Sequence, residues 1–245
     1  EFFDLTKQTE NEGWEASVSW LDTSTKLAGR GILSRGNPSD RVYEPTVDDP
    51  KLLKLEPAFE VPFVPPFSVL NRFNSNIINS AYFALKKNSA GTTQAHYRDF
   101  HYPLDGVGNW NRIYGSKGFL QYQSVVPMKD SEEVTKEMLN EIRKSRQGSF
   151  LAVLKTFSSR RASGMLSFAR EGATLAIDFP RREIETEALF QRLDSIVQQA
   201  GGALNPSKDA RMGRDFFESS FPNLQEFKKY RDPNCVSDFS RRVID

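Results

Sequence analysis

The sequence predicts an α+β protein in which helices flank a large antiparallel sheet. Several segments alternate with the two-residue period of a half-buried strand, and others repeat apolar residues at helical spacing. The chain is also rich in aromatic residues, at 12% with 19 Phe, which suits a broad sheet with an aromatic-lined cavity. The predicted strands cover 14–22, 29–37, 118–127, 149–157 and 173–180, and the predicted helices cover 68–87, 130–146 and 183–202.

Composition narrows the class of protein before any motif is considered. The chain has 245 residues, 33 basic and 32 acidic side chains and a net charge of +1, which argues against general nucleic-acid binding. No apolar run approaches the ~18 residues of a membrane-spanning helix. One cysteine and two histidines argue against a Cys- or His-based metal site and fit a reducing compartment. These features predict a cytoplasmic or peripheral membrane protein.

The first third of the chain predicts a hairpin and one helix. Residues 14–22 and 29–37 alternate as two paired strands. The Pro-rich stretch 37–66 is predicted to be a long surface excursion, because its prolines cannot join a ladder. In the helix 68–87, the apolar positions are Leu70, Phe73, Ile77 and Ala81. An aromatic, turn-rich loop follows over 91–115.

The middle of the chain predicts a ferredoxin-like β-α-β-β-α unit with a further short strand at 203–205. The first helix has an acidic, capped start at 131–133 and an apolar stripe of Val134, Met138, Leu139 and Ile142. Residues 164–171 and 173–180 predict one or two strands. The last helix carries Ile184, Leu189, Leu193, Ile196 and Val197 on its apolar side and ends at Gly201-Gly202.

The strand "GFLQYQSVVP" places Gln121 and Gln123 on one face between apolar neighbours. If the strands at 149–157 and 173–180 are its neighbours, Lys155 and Thr174 join the same face. Such a face can hydrogen-bond a polyhydroxylated or phosphate-bearing ligand. The alternative is a solvent-facing side of a one-sided sheet, in which Lys155 protects an edge.

Three further positions carry polar or reactive groups. Lys208 follows a short strand in "LNPSKDARM" and is placed to meet an anionic group at a helix start; the alternative is an ordinary capped helix. His101 stands alone among aromatic residues, as structural histidines commonly do. Cys235 has no basic neighbour that would activate its thiol, and it is predicted to pack.

Several of these segments occur together, and in the same order, in a known family. The segments "VSWLD", "FHYPLDGVGNWNRIYGSKGFLQYQSVVP", "SFLAVLKTF", "ATLAIDFP", "GGALNPSKDARM" and "DPNCVSDFSRRV" are spread over essentially the whole chain. In them the chain resembles the C-terminal half of the decaprenylphosphoryl-β-D-ribose 2-oxidases, flavoproteins of the vanillyl-alcohol oxidase class. The most specific blocks are the one around "PLD…WNR.YG..GFLQYQ" and "SKD.R".

The resemblance implies a two-part flavoprotein. Residues 1–203 would form the substrate-binding domain, and 204–245 would complete an FAD-binding domain not contained in this chain. The start of the chain, which lacks an initiator Met, likewise predicts a piece of a longer protein that is inactive alone. The implied reaction is hydride transfer from a secondary alcohol of a sugar to N5 of FAD, giving a keto sugar that a partner short-chain reductase reduces.

The resemblance also implies roles for individual residues. Lys208, Gln123 and Lys155 would be catalytic. The sugar would meet Gln121, Gln123, Lys155, Thr174, His101 and Trp20, and the flavin would meet Lys208, Asn205, Arg211 and Ala176. The chain departs from the family at four of these places: His101-Tyr102 has the order reversed, Thr174 replaces Asn, Ala176 replaces Cys, and Asn205 replaces Tyr.

Two hypotheses from different classes follow. The first is the substrate domain of an FAD-dependent sugar oxidoreductase in cell-envelope biosynthesis, acting on a sugar or lipid-linked sugar. A lipid-linked substrate would bring peripheral membrane contact through 37–66 or 91–118. The second is a ligand-binding module that kept the fold without flavin chemistry.

Overall fold

The computed structural model describes residues 1–23, 29–39, 57, 59–95, 97–147 and 149–245. The predicted surface excursion over 37–66 therefore lies largely outside the described residues. In the first 108 residues the elements are α1 (Phe2–Asn11), β1 (Ala16–Leu21), β2 (Gly31–Gly36), β3 (Phe59–Glu60), α2 (Arg72–Asn88), α3 (Tyr97–His101) and β4 (Val107–Gly108). The later ones are β5 (Phe119–Val126), α4 (Ser131–Ser145), β6 (Ala152–Phe157), β7 (Gly172–Pro180), α5 (Glu183–Gln199), β8 (Ala203–Leu204), α6 (Arg214–Ser220), α7 (Leu224–Tyr230) and α8 (Asp238–Val243).

The described residues form a six-stranded sheet in the order β2-β1-β6-β7-β5-β8, and every ladder in it is antiparallel. The segment β5-α4-β6-β7-α5-β8 has the ferredoxin-like order of elements, and the β1–β2 hairpin extends its sheet beyond β6. The predicted α+β class is confirmed. A separate two-stranded parallel ladder joins β3 to β4.

Alternation of side chains gives the sheet two different faces. We call the face carrying Leu120, Tyr122, Leu175, Ile177 and Phe179 the packed face. It is covered by α4 and α5, whose Met138, Ile142, Leu189 and Leu193 are buried in one hydrophobic core with it. The helices after β8 add Phe217, Phe221 and Val243 to the same core. The predicted boundary between 1–203 and 204–245 stays a prediction.

The C-terminal end of α5 follows from its sequence. Gly201 has φ +69°, a left-handed conformation that ends the helix as predicted, and its backbone N–H bonds the carbonyl of Gln198. A Cβ on Gly202 would lie 2.5 Å from the carbonyl oxygen of Val125, so only glycine lets this turn approach β5. The turn thereby delivers β8, and the residues after it, to the edge of β5.

Of the one or two strands predicted over 164–171 and 173–180, one forms, β7, and residues 164–171 are outside it. Other predicted details are wrong. Ile184 is 81% exposed rather than part of the apolar side of α5, and α4 has an acidic first turn without a side-chain cap. Cys235 is exposed rather than packed, because it lies in the turn between α7 and α8.

The apolar side of α2 is also inverted relative to its prediction. Leu70 is buried, but Phe73 is 71% exposed and Ile77 is exposed, while Ser75 and Asn79 are buried. The cause is the fully buried carboxylate of Asp22, which needs polar partners. Asn79 Nδ2 donates to Asp22 Oδ1 at 2.9 Å, and Arg30 Nε donates to Asp22 Oδ2 at 2.8 Å.

Among the described residues, every helix is too short or too polar to span a bilayer.

Candidate active site

The second face of the sheet collects polar side chains at its centre. We call Gln121, Gln123, Lys155, Thr174, Ala176 and Asp178 the polar face. The ladder sets Gln121 opposite Asp178, Gln123 opposite Ala176, and Lys155 opposite Thr174. The condition set by the sequence is thus met for β7, which pairs with β5, whereas β6 pairs with β7 and lies one strand further away. Most of these side chains are half-buried, whereas Thr174 and Asp178 are buried.

Gln123 is held at both ends of its amide. Its Nε2 donates to Thr174 Oγ1 at 3.3 Å, and its Oε1 accepts from Asn205 Nδ2 at 2.8 Å. Asn205 also receives the backbone N–H of Ser207 on its Oδ1, which caps the short 3₁₀ turn Pro206–Lys208. One asparagine thus ties the polar face to the turn that carries Lys208.

Lys208 and Lys155 supply positive charge. Lys208 is exposed, lines the same edge as Gln121 and Gln123, and lies close enough for its charge to lower the pKa of Asp178. Among the described residues, neither ammonium group has a hydrogen-bond or ion-pair partner. Lys208 belongs to a 3₁₀ turn that Asn205 caps. Both cations are thus available to a ligand.

Asp178 is a buried carboxyl group that the sequence analysis did not select. It is 0% exposed, and its Oδ1 accepts from Gln121 Nε2 at 2.6 Å. Its Oδ2 is buried with no hydrogen-bond partner among the described residues. Burial raises the pKa of Asp178 to about 7, against the opposing effects of the Gln121 hydrogen bond and the charge of Lys208. The sequence feature that could have indicated it is an acidic residue within the otherwise apolar strand "ATLAIDFP".

Aromatic rings close one end of the polar face. Tyr114 stacks on Phe119 with ring centroids 4.4 Å apart, and Trp110 lies 5.4 Å from Phe119. Burial and the negative charge of Asp178 both raise the pKa of Tyr114. The phenol therefore stays neutral at physiological pH.

Three predicted site residues lie apart from this centre. Trp20 shares the face of Ala176, because it pairs with Val153 and Val153 pairs with Ala176, but it lies two strands away on β1. There its Nε1 donates to the carbonyl of Phe150 and its ring packs against Tyr82. His101 is exposed in α3, whose Phe100 packs on Gly36 of the edge strand β2. The guanidinium of Arg211 faces α5, where it pairs with Asp194 at 2.5 Å and Glu187 at 3.5 Å. Their predicted roles stay predictions.

A small pocket lies beside the polar face. The pocket at the edge of β5, lined by Gln121, Gln123, Asn205 and Lys208 among others, has a volume of about 20 Å³. Such a volume holds about one water molecule.

Comparison with known proteins gives a match over almost the whole chain. The decaprenylphosphoryl-beta-D-ribose oxidase of Mycolicibacterium smegmatis is 34% identical over 259 aligned positions, which cover 98% of this chain and 54% of that protein. An uncharacterized protein from the mprA 5′ region of Streptomyces coelicolor is 34% identical over 85 residues, covering 33% of this chain and 23% of that protein. No protein-family profile matches. The chain spans about half the length of the oxidase, and the predicted resemblance is confirmed.

Proposed function

Because the chain is similar throughout to about half of a decaprenylphosphoryl-beta-D-ribose oxidase, we propose that it is the substrate-binding part of an FAD-dependent oxidoreductase. The substrate class is a sugar, of the polyprenylphosphoryl-ribose type, whose secondary alcohol is oxidised to a ketone. The observation that carries the proposal is the polar face, where two amides and the ammonium group of Lys155 lie around the small residue Ala176 and the ammonium group of Lys208 stands at the edge. Both ammonium groups are unpaired among the described residues.

The residues on this face fit a flavin placed against it. Ala176 adds no bulk at the centre, and the ammonium of Lys208 stands exposed at the edge. A flavin bound there would supply the two-electron acceptor for the hydride of the carbinol carbon. Lys208 would stabilise the negative charge of the reduced ring, because a cation close to a developing anion lowers its energy.

The remaining side chains would bind and orient the sugar. Lys155 donates to sugar or phosphate oxygens, and Gln121 offers its amide oxygen to a hydroxyl group. Gln123 is held by Thr174 and Asn205, so it contributes a fixed wall more than a free hydrogen-bonding group. Such pre-set orientation reduces the entropy lost on binding. A short-chain reductase acting on the keto sugar is the partner this proposal implies.

A lipid-linked substrate leads us to propose peripheral contact with a lipid surface. Phe63, Phe67 and Phe73 are exposed by 67%, 74% and 71%; the first two precede α2 and Phe73 lies in its first turn. Aromatic side chains of this kind insert at the headgroup boundary. Replacing Phe67 and Phe73 by Ser should lower co-sedimentation with anionic liposomes, and unchanged partitioning would count against this contact.

The visible absorption spectrum of the protein made from its complete reading frame tests the proposal. We expect flavin bands at ~450 nm. These bands should bleach when a ribosyl phosphate is added as the sugar substrate. A folded, colourless protein that takes up no added FAD would contradict it. That outcome would favour a ligand-binding module that keeps the polar face without redox chemistry.

A further inference from the structure

The two glutamines of the polar face differ in what they leave for a ligand. Gln123 uses both ends of its amide within the protein, through Thr174 and Asn205. Gln121 uses only its nitrogen, which donates to Asp178. Among the described residues, no donor lies within hydrogen-bond distance of Gln121 Oε1. The amide oxygen of Gln121 is therefore the open acceptor of this pair.

The carboxylate of Asp178 dictates this orientation. An ionised carboxylate only accepts hydrogen bonds, so the side of Gln121 that faces it must be the NH₂ group. If the amide were reversed, two oxygens would face each other in a buried place, where an unpaired charge is costly. The contact of 2.6 Å between Gln121 Nε2 and Asp178 Oδ1 is short, as expected for a charge-assisted hydrogen bond.

We propose that Asp178 is a positioning residue that holds the amide oxygen of Gln121 toward the ligand, so that position 121 accepts a hydrogen bond from a sugar hydroxyl group. This inference rests on the proposed function for the identity of the ligand, and it specifies the polarity of one contact. Position 121 then selects a hydroxyl group over a carbonyl or an ether oxygen at that point of the ring, because only the hydroxyl group can donate.

Protonation of Asp178 would release this constraint. The neutral carboxyl has an O–H that can donate to an amide oxygen, so Gln121 could turn and present its NH₂ to the ligand. The groups that face Asp178 are Gln121 from β5, Lys208 from the turn after β8, and Tyr114 from the 3₁₀ segment 110–114. With the pKa of Asp178 at about 7, the switch falls in the neutral range. Sugar binding should weaken as the pH falls through it.

The first test observes the amide directly and needs no catalysis. In the complete protein with ¹⁵N-labelled glutamine, the side-chain signal of Gln121 is assigned by its loss in Gln121→Met. At pH 8.5 one Nε2 proton should be shifted downfield and exchange slowly with water. This signature should disappear below pH 6 and in Asp178→Asn. A Gln121 signal that is identical in the wild type and in Asp178→Asn would overturn the proposal.

The second test measures the dissociation constant of β-D-ribofuranosyl phosphate by calorimetry. Loss of one hydrogen bond predicts roughly tenfold weaker binding in Asp178→Asn and in Gln121→Met at pH 8.5. In the double variant the two losses should not add, because Asp178 acts through Gln121. Fully additive losses would overturn the proposal. The pH dependence of the dissociation constant should vanish in both single variants.

Asp22→Asn is the matched control, since Asp22 is also a fully buried carboxylate of the sheet but lies with Arg30 and Asn79. It should destabilise the protein and leave the dissociation constant unchanged. Failure of the proposed function would appear separately, as an absent flavin or as bands that the sugar does not bleach. In that case the amide signature and the binding cycle still decide the role of Asp178.

Discussion

The two faces of the sheet are built from the same strands, yet they differ in almost every physical property. On the packed face, Leu175, Ile177 and Phe179 are at most 3% exposed and lie under α4 and α5. The residues of the polar face carry amides, a hydroxyl group and charges, and most remain half-buried. Stability is concentrated on one side and ligand chemistry on the other, so substitutions on the two sides should have separable effects.

The largest expected effect is on the packed face. Phe179→Ala removes a fully buried ring that packs on Phe190 at 5.5 Å, and it should lower the free energy of unfolding by about 3–5 kcal/mol. Urea denaturation measures the change. Phe157→Ala is the matched control on the polar face, where the ring is only half-buried. Equal losses for the two variants would contradict the division between the faces.

The next effect concerns the buried carboxyl of the polar face. The pKa of Asp178 is raised to about 7, so between about pH 4 and 7 the folded state binds more protons than the unfolded state. The free energy of unfolding should therefore fall as the pH rises through this window, by at most about 4 kcal/mol from this group.

Asp178→Asn should flatten this part of the pH profile and gain stability relative to the wild type above pH 7. Urea denaturation at pH 5, 6, 7 and 8 measures both profiles. A wild-type profile that rises over this range, with the same rise in Asp178→Asn, would show that Asp178 is already ionised throughout.

For Lys208 we expect a small change in the free energy of unfolding but a measurable loss of function. In the complete protein, Lys208→Ala should slow flavin reduction by about 10²-fold, as removal of one stabilising group on a developing charge commonly does. The thermal midpoint should stay within about 2 °C because the side chain is exposed and unpaired among the described residues. Lys129→Ala is the control: it removes an exposed lysine outside the polar face and should leave the rate of flavin reduction unchanged.

The smallest change in stability is expected at Thr174, whose hydroxyl group holds Gln123 on the polar face. Thr174→Val keeps the shape but removes the acceptor for Gln123 Nε2, and should cost about 1 kcal/mol. Thr174→Ser keeps the hydroxyl group and should retain the hydrogen bond. If the two variants are equally stable, the contact at 3.3 Å contributes nothing measurable.

Sequence periodicity predicts the ferredoxin-like unit because each of its strands and helices has one apolar side facing one core. Met138, Ile142, Leu189 and Leu193 are examples whose spacing and burial agree. The packing of α2 could not be predicted this way. Its buried side is selected by Asp22, a single carboxylate about 50 residues earlier, and local periodicity carries no information about such a partner.

The candidate site was predictable in part for a similar reason. Alternation placed Gln121, Gln123, Lys155 and Thr174 on one face on the condition that their strands were neighbours, and β7 does join β5 to β6. It could not indicate that Asn205 would hold Gln123, or that Asp178 would be fully buried beside Gln121. Those contacts depend on register and on chain segments that are distant in sequence.

The β1–β2 hairpin has a consequence for the order of folding. The strands of the ferredoxin-like unit lie within residues 119–204, whereas the pairing of β1 with β6 joins Ser19 to Leu154, 135 residues apart. Closing so long a loop costs more entropy than forming the contacts within the unit. We expect the hairpin to dock last, and its amides to exchange with solvent through a local opening that leaves the unit intact.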